Sequence, residues 1–498
     1  MQTDLQLIRP RAIRVDRRVL VFAETVLAAI LAFAAIGTRS FWLDESVSVT
    51  MAKLDWGSLV HELRVREGNM SLYHLLLFGW IRLGDSELFV RSLSALAAVA
   101  TVPLGYLLTR RLAGTRAALL AGLLLAVNPM VVRYAQEARG YALCLLLVTA
   151  GSYLFVLALD RPTWPLWLGY AAVVALAGYA HDFALLIPPA HAVSLAFLRR
   201  DLVPWRKVAG AACTLVLLLV PLLYLLASND SSGIEWATGN APGRIFTRIH
   251  DHRPVAAAVL VAGLVATVLA WLGLRRFGVT PLNNRRSWRW AFLLSWLITP
   301  LAAVAVLAVV YRPLFVVRYF IICLPAVVIL AALVVAQLLH GRIAAAAASA
   351  LVAISLLGVL RWYANGESEN WRHATSYVVQ KTRRGDGVLF YAPYVRIPFT
   401  LYARLDHRGH RLPPPVYPSA GWRADAMRFN SYIPVTADAV RSRAAHFERI
   451  WLVVSHANLY GGTDPGYDAV RAGLAEAGFR RAAVVHFAGI DVLRYATH

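Results

Sequence analysis

The feature that most constrains this chain is a recurring apolar window. Stretch after stretch offers about 17–25 mostly uncharged residues, the length a helix needs to cross a hydrocarbon core of about 30 Å. Residues 19–36, interrupted only by Glu24, form the first. With 59% hydrophobic and only 16% charged residues, the composition lies outside the soluble range. The expectation is a polytopic α-helical membrane protein. Eleven spans are predicted, at about 19–37, 88–109, 117–133, 141–159, 166–181, 184–198, 208–227, 254–274, 290–311, 316–339 and 343–361.

A formal charge of +22 can signal nucleic acid, but in a membrane protein basic residues first set topology. With the N-terminus inside, the cytoplasmic segments hold Arg9, Arg11, Arg14, Arg17, Arg18, Arg110, Arg111, Arg116, Arg161, Arg199, Arg200, Arg206, Lys207, Arg275, Arg276, Arg285, Arg286, Arg289 and Arg342. Only Asp4, Asp16, Asp160 and Asp201 oppose them, so the positive-inside rule favours this orientation and no nucleic-acid partner is expected. The N-terminal arginines followed by a long apolar stretch read as an uncleaved first span rather than a signal peptide. Cys144, Cys213 and Cys323 fall inside spans, without the spacing of a disulfide framework or a metal site.

Residues 71–83 are apolar but too short to cross, which predicts a helix lying along the outer interface within a long first outer loop, about 38–87. After Arg361 the composition turns polar, with strand-like runs at 387–391 and 450–455 alternating with helix-like stretches at 437–446 and 468–477. This predicts a membrane unit over 1–361 and a small α/β domain over 362–498, placed outside by the odd number of spans.

Candidate chemistry gathers at the predicted outer helix ends. Asp44 and Glu45 follow the first span beside Phe41 and Trp42, whereas an isolated carboxylate pair would only decorate a wet loop. The next outer turn runs from Asn128 through Tyr134, Glu137 and Arg139 to Tyr141, where a structural ion pair is the plainer reading. Arg91 and Arg318 lie at other outer ends, where arginines also snorkel to headgroups. His181 and Asp182 mark a further outer turn, with a phosphate-binding or sugar-binding role as the sharper reading of the histidine.

Four segments, in order, resemble the family 39 glycosyltransferases of the GT-C fold, which include protein O-mannosyltransferases and the lipid A aminoarabinose transferase. They are the Asp44-Glu45 pair, GNMSLYHLLLFGWIRLGDSELFVRSLSAL at 68–96, NPMVVRYAQEARGYAL at 128–143 and YRPLFVVRYF at 311–320. A fifth, ENWRHATSYV at 369–378, is similar to the opening of the outer domain in bacterial members. Met70 and Ser71 depart from the family, whose relatives often carry prolines before the Leu-Tyr pair.

The resemblance implies inverting transfer of a hexose or pentose from a polyprenyl-phosphate donor to a glycan, lipid or protein acceptor. The site would face outward from a bacterial cytoplasmic (inner) membrane. Asp44 would be the general base, with Glu45 beside it as a catalytic or orienting carboxylate. Arg139, Arg318 and Arg91 would bind the donor phosphate, and Glu137, Tyr134, His181 and Asp182 would contact substrate. Because a leaving phosphate needs positive charge and not a proton donor, no second acid is required. No cluster has metal-ligand spacing, so no metal cofactor is expected, a divalent ion bridging carboxylate and phosphate being the alternative. The competing function is a lipid-linked glycan flippase or secondary transporter, which would place polar residues near the bilayer midplane. A polysaccharide polymerase or ligase is the third reading.

Overall fold

The computed structural model describes residues 16–228, 285–310, 316–366, 369–430, 435–457 and 464–497. Asp16 opens α1 (Arg17–Phe33) by accepting the Arg18 N–H at 3.0 Å. The chain then forms three ten-residue helices, α2 (Leu43–Ala52), α3 (Trp56–Val65) and α4 (Ser71–Trp80). The last of these is the short apolar helix expected at 71–83; at about 1.5 Å per residue it reaches only half the thickness of a hydrocarbon core.

Ser86 caps α5 (Glu87–Ala113), accepting the Phe89 N–H at 3.3 Å, and Gly114 at φ +85° ends it in the left-handed region that glycine tolerates. Next come α6 (Thr115–Ala126) and α7 (Pro129–Ala135), which meet at a 50° bend. Pro129 disfavours a helical conformation at Asn128. The Asn128 side chain instead accepts the N–H groups of Met130 and Val131, which starts a new helix at a new angle. The bundle continues with α8 (Tyr141–Asp160), α9 (Trp164–Ala180), α10 (Ile187–Leu195) and α11 (Trp205–Ser228). It closes with α12 (Arg285–Val310), α13 (Leu324–Gln337) and α14 (Gly341–Asn365).

Among the described residues, six helices are long and apolar enough to cross a membrane, or seven if the bent pair is one span. They coincide with the spans expected at 88–109, 117–133, 141–159, 208–227, 290–311, 316–339 and 343–361. The windows at 19–37 and 166–181 yield helices of 17 residues. The window at 184–198 yields a 3-10 turn and a nine-residue helix instead of one continuous span, because Pro188 and Pro189 suit only the first turn of a helix. The span expected at 254–274 lies outside the described residues. At one end of the bundle Arg111 meets Asp160 at 3.0 Å, and Arg289 donates to the Leu112 carbonyl at 3.2 Å.

The C-terminal residues form a small α/β domain built on a five-stranded mixed sheet of order β2-β1-β3-β5-β4. Its strands are β1 (Asp386–Tyr391), β2 (Pro415–Tyr417), β3 (Arg449–Val454), β4 (Arg480–Phe487) and β5 (Ile490–Ala496). β1 runs parallel to β2 and β3, while β5 is antiparallel to β3 and β4. Four helices pack with the sheet, α15 (Trp371–Lys381), α16 (Arg396–Asp406), α17 (Ala437–Ala444) and α18 (Pro465–Glu476). The expected strands at 387–391 and 450–455 are β1 and β3, both buried along almost their whole length.

This domain sits on the membrane unit through an apolar seam and a polar one. Val47, Met51, Leu59 and Leu63 pack with Ile397, Met427 and Phe429. The Tyr402 hydroxyl donates to Glu87 at 2.9 Å and accepts the Phe41 N–H at 2.6 Å. Arg372 also pairs with Glu87. The connection between α1 and α2 is thereby pinned from above by residues more than 300 positions away.

Candidate active site

The turn into α2 brings Asp44 and Glu45 to very different environments. Glu45 is 1% exposed and accepts the Ala138 N–H at 2.7 Å, the Trp42 N–H at 3.3 Å and two bonds from Arg91, at 2.7 and 2.6 Å. The Arg91 guanidinium also donates to the carbonyls of Ile36 at 2.8 Å, Arg39 at 2.9 Å and Ser40 at 3.0 Å. All five of its N–H bonds thus have acceptors within the protein. Of the two roles expected for Glu45, catalytic or orienting, this arrangement fits the orienting one, and Arg91, expected to hold phosphate, instead has its donors engaged within the protein. A bidentate buried pair that also ties three carbonyls and the 138 N–H is a clamp joining the α1–α2 connection, α2, α5 and the 136–140 turn.

Asp44, the residue before, keeps its side chain 27% exposed and places Oδ2 3.9 Å from Nη2 of Arg318. That separation is too long for a hydrogen bond. Arg318 comes from the 3-10 turn Val317–Cys323, with its guanidinium 5.8 Å from the Trp42 ring. Both Arg318 and Trp42 line a cavity of about 520 Å³. Its polar wall carries Arg39, Arg91, Arg133, Arg318 and Arg361 against Glu45 and Glu137, and Ala35, Ile36, Pro129, Met130 and Gly358 make an apolar side. The pocket is therefore cationic and amphiphilic, suited to an anionic headgroup on an apolar tail.

Glu137 reaches this cavity from the turn between α7 and α8 and lies 3.8 Å from Arg133. Burial pushes its carboxyl up to about 7, with the neighbouring Arg133 charge only partly offsetting that. Arg139, two residues on, is 7% exposed and bonds Ser48 Oγ at 3.3 Å. It also lies 3.6 Å from Glu67. Although burial alone would lower its pKa, the charges of Asp44 and Glu67 hold it above the usual value. Glu67 immediately precedes the 68–96 segment and carries no motif of its own. Burial opposes its charge, yet His74, Arg139 and Asn430 together hold its carboxyl down at about 2.

The remaining expected residues do not line the cavity and pack behind Arg318. Asp182 approaches His181 Nδ1 at 2.9 Å, and the His181 ring lies 5.5 Å from Tyr141 and 4.9 Å from Tyr319, the neighbour of Arg318. Tyr134 is buried with its ring 4.8 Å from Tyr141. Asp44, Arg318, Arg139 and Glu137 therefore gather in one place, while His181, Asp182 and Tyr134 support it through the Tyr141–Tyr319 aromatic layer.

Residues 70–225 match the family model for dolichyl-phosphate-mannose-protein mannosyltransferase. No curated protein matches the sequence. Among solved structures, the chain is similar to ArnT from Cupriavidus metallidurans bound to undecaprenyl phosphate, with a TM-score of 0.56, 13% identity and coverage of 95% of this chain and 97% of that one. The apo oligosaccharyltransferase of Archaeoglobus fulgidus aligns with a TM-score of 0.54 at 13% identity, over 98% of this chain and 75% of that one. A further structure of that archaeal enzyme, AglB in complex with an inhibitory peptide and a dolichol-phosphate, aligns with a TM-score of 0.53 at 12% identity, over 96% of this chain and 74% of that one.

The chain has the GT-C fold. Within that fold the first loop and the bundle end face the C-terminal domain, which contributes two groups to the surroundings of Asp44. Glu369 accepts the Leu43 N–H at 2.9 Å, and His456 Nε2 lies 3.2 Å from the other Glu369 oxygen. Glu369 opens the fifth segment of the sequence resemblance, but nothing in the sequence around His456 marks it. Among the described residues of this GT-C chain no three His, Cys, Asp or Glu side chains gather as a metal site.

Proposed function

We propose that this protein is an inverting glycosyltransferase that moves a sugar from a polyprenyl-phosphate donor to an acceptor hydroxyl at the outer face of the bacterial cytoplasmic membrane. The observation that carries the reading is Asp44 placed 3.9 Å from Arg318 beside a cavity walled by guanidiniums on one side and apolar residues on the other. The family-model match over 70–225 and the likeness to a protein solved with undecaprenyl phosphate support it. The arginine-rich opposite end of the bundle supports the outward orientation.

In this mechanism the donor phosphate lies against Arg318 with its first isoprene units on the Ala35, Ile36 and Met130 side. Asp44 takes the proton of the acceptor hydroxyl as its oxygen attacks the anomeric carbon from the face opposite the phosphate. The bond from that carbon to the phosphate oxygen breaks, and its electron pair leaves with the lipid phosphate. The arginines meet charge that grows on the phosphate, while a positioned base contributes typically about 10²–10⁴ in rate, roughly 3–5 kcal/mol. Arg139 is anchored on Glu67 and Ser48 and adds positive potential at Asp44. The charged groups of the site come from helix ends and turns, an arrangement that favours transfer chemistry over transport.

Purified protein incubated with a panel of radiolabelled undecaprenyl-phosphate sugars and membrane extract should move one label. Asp44→Asn should lower that transfer at least about 100-fold, with undecaprenyl phosphate binding retained. Full turnover by Asp44→Asn removes Asp44 as base, and no transfer of any label removes the proposed reaction.

A further inference from the structure

The helix that carries Asp44 has no capping side chain at its N-cap, Trp42, whose own N–H is taken by Glu45 at 3.3 Å. Its first-turn neighbour Trp42 has no side-chain oxygen to accept the exposed N–H groups of α2. The acceptor comes from the C-terminal domain, where Glu369 takes the N–H of Leu43, the residue bonded to Asp44, across 326 positions of sequence. The Glu369 backbone carbonyl also accepts from Ser40 Oγ at 2.7 Å, and Ser40 Oγ in turn accepts the Trp371 N–H at 3.1 Å. Phe41 and Trp42 are thus bracketed by contacts from the other domain, the second of them at the residue next to Asp44.

Glu369 is itself held. One oxygen receives the Leu43 N–H and the Trp371 indole N–H; the other faces His456 Nε2 at 3.2 Å. Hydrogen-bond roles around His456 are decided by its neighbours. Ser455 Oγ spends its single proton on the Gly489 carbonyl at 2.8 Å, so toward His456 Nδ1, at 2.9 Å, it can only accept. A carboxylate can also only accept. With the Ser455 proton so placed, both ring nitrogens face acceptors, an arrangement that favours the charged imidazolium. Burial disfavours that charge, but the hydrogen bond to Glu369 and the charges of Glu369 and Asp44 outweigh it and raise the histidine pKa. The backbone of His456 adopts φ +62°, a left-handed conformation that costs a non-glycine residue on the order of 1 kcal/mol. It directs the ring from the end of β3 toward Glu369.

We propose that His456 and Glu369 of the C-terminal domain are positioning residues that set the first turn of α2, and with it Asp44, so that transfer depends on that domain being seated. This rests on Asp44 acting as the base. Neither residue lines the guanidinium cavity, so their loss should leave lipid-phosphate binding intact and misplace the base.

The test compares wild type with His456→Ala, Glu369→Ala and the conservative Glu369→Gln, which keeps an oxygen acceptor for the Leu43 N–H. Three readouts are taken: kcat and KM with the labelled donor found in the panel, undecaprenyl phosphate affinity, and hydrogen exchange of peptides covering 40–46. The expected result is a kcat lowered about tenfold or more in both alanine variants, undecaprenyl phosphate affinity within about twofold, and faster exchange over 40–46. Glu369→Gln should recover part of the lost kcat. Unchanged kcat or unchanged exchange in His456→Ala overturns the proposal, as does a loss of undecaprenyl phosphate affinity equal to the loss of kcat. If Asp44→Asn remains fully active, the base assignment fails by itself, and the exchange readout still decides whether His456 and Glu369 order the loop.

Discussion

Replacing Arg91 by Leu separates a buried clamp from a phosphate ligand. Arg91 and Glu45 are 4% and 1% exposed, and removing one partner of such a pair leaves an uncompensated buried charge, at a typical cost of about 3–5 kcal/mol. Glu45 would keep the N–H groups of Ala138 and Trp42, which places the loss toward the lower end. The carbonyls of Ile36, Arg39 and Ser40 would also lose their donor, adding about 1 kcal/mol each where water does not replace it. Arg91→Leu is therefore expected to destabilise the protein by about 3–6 kcal/mol, depending on how many of the three carbonyls water reaches, read as a fall of several degrees in thermal unfolding in detergent. The double variant Glu45→Leu with Arg91→Leu should recover at least about 2 kcal/mol relative to the sum of the single changes. A phosphate ligand behaves in the opposite way: its loss weakens undecaprenyl phosphate binding and leaves stability alone. If Arg91→Leu keeps the wild-type unfolding temperature, or the double variant shows no coupling, the clamp is refuted.

Glu137 should give the cavity a pH dependence. Its carboxyl, raised to about 7 by burial, is neutral below that pH and negative above it, so ionisation as pH rises opposes an anion in the same cavity. Undecaprenyl phosphate affinity in Glu137→Gln should exceed wild type by about fivefold at pH 8, roughly 1 kcal/mol, and match it at pH 6; equal ratios at both pH values would contradict this. Because guanidiniums supply the positive charge in the proposed reaction, transfer should survive exhaustive chelation. Activity lost on chelation and restored by magnesium or manganese would assign that charge to a metal.

Much of the architecture is legible in the sequence because its causes are local. Hydropathy and length specify α5, α8, α11 and α14, and the short stretch at 71–83 announces a helix that cannot cross. Asn128-Pro129 carries the break between α6 and α7, although an apolar window of 117–133 conceals it: hydropathy averages over the one position where proline redirects the backbone. Pro188 and Pro189 similarly divide the window at 184–198. β4 and β5 escape a search for alternating buried residues because β4 is largely exposed, with an RRAAVVHF sequence whose pairing with β5 decides its structure.

The site divides along the same line. Sequence alone determined that two carboxylates follow the first helix and that arginines cluster at the ends of others, since charge beside an apolar span is written in residue order. Which carboxylate is locked in a buried ion pair and which stays partly exposed was decided only in three dimensions. Glu45 and Asp44 are adjacent, yet successive residues on a helix point about 100° apart. One therefore turns inward to Arg91 and the Ala138 N–H, while the other faces Arg318. The same holds for Arg91, whose donors are consumed by Glu45 and by carbonyls of the connection between α1 and α2, and for Glu369 and His456, which reach the Asp44 loop across hundreds of residues. Burial and hydrogen-bond saturation are properties of neighbours in space, and only the packed chain supplies them.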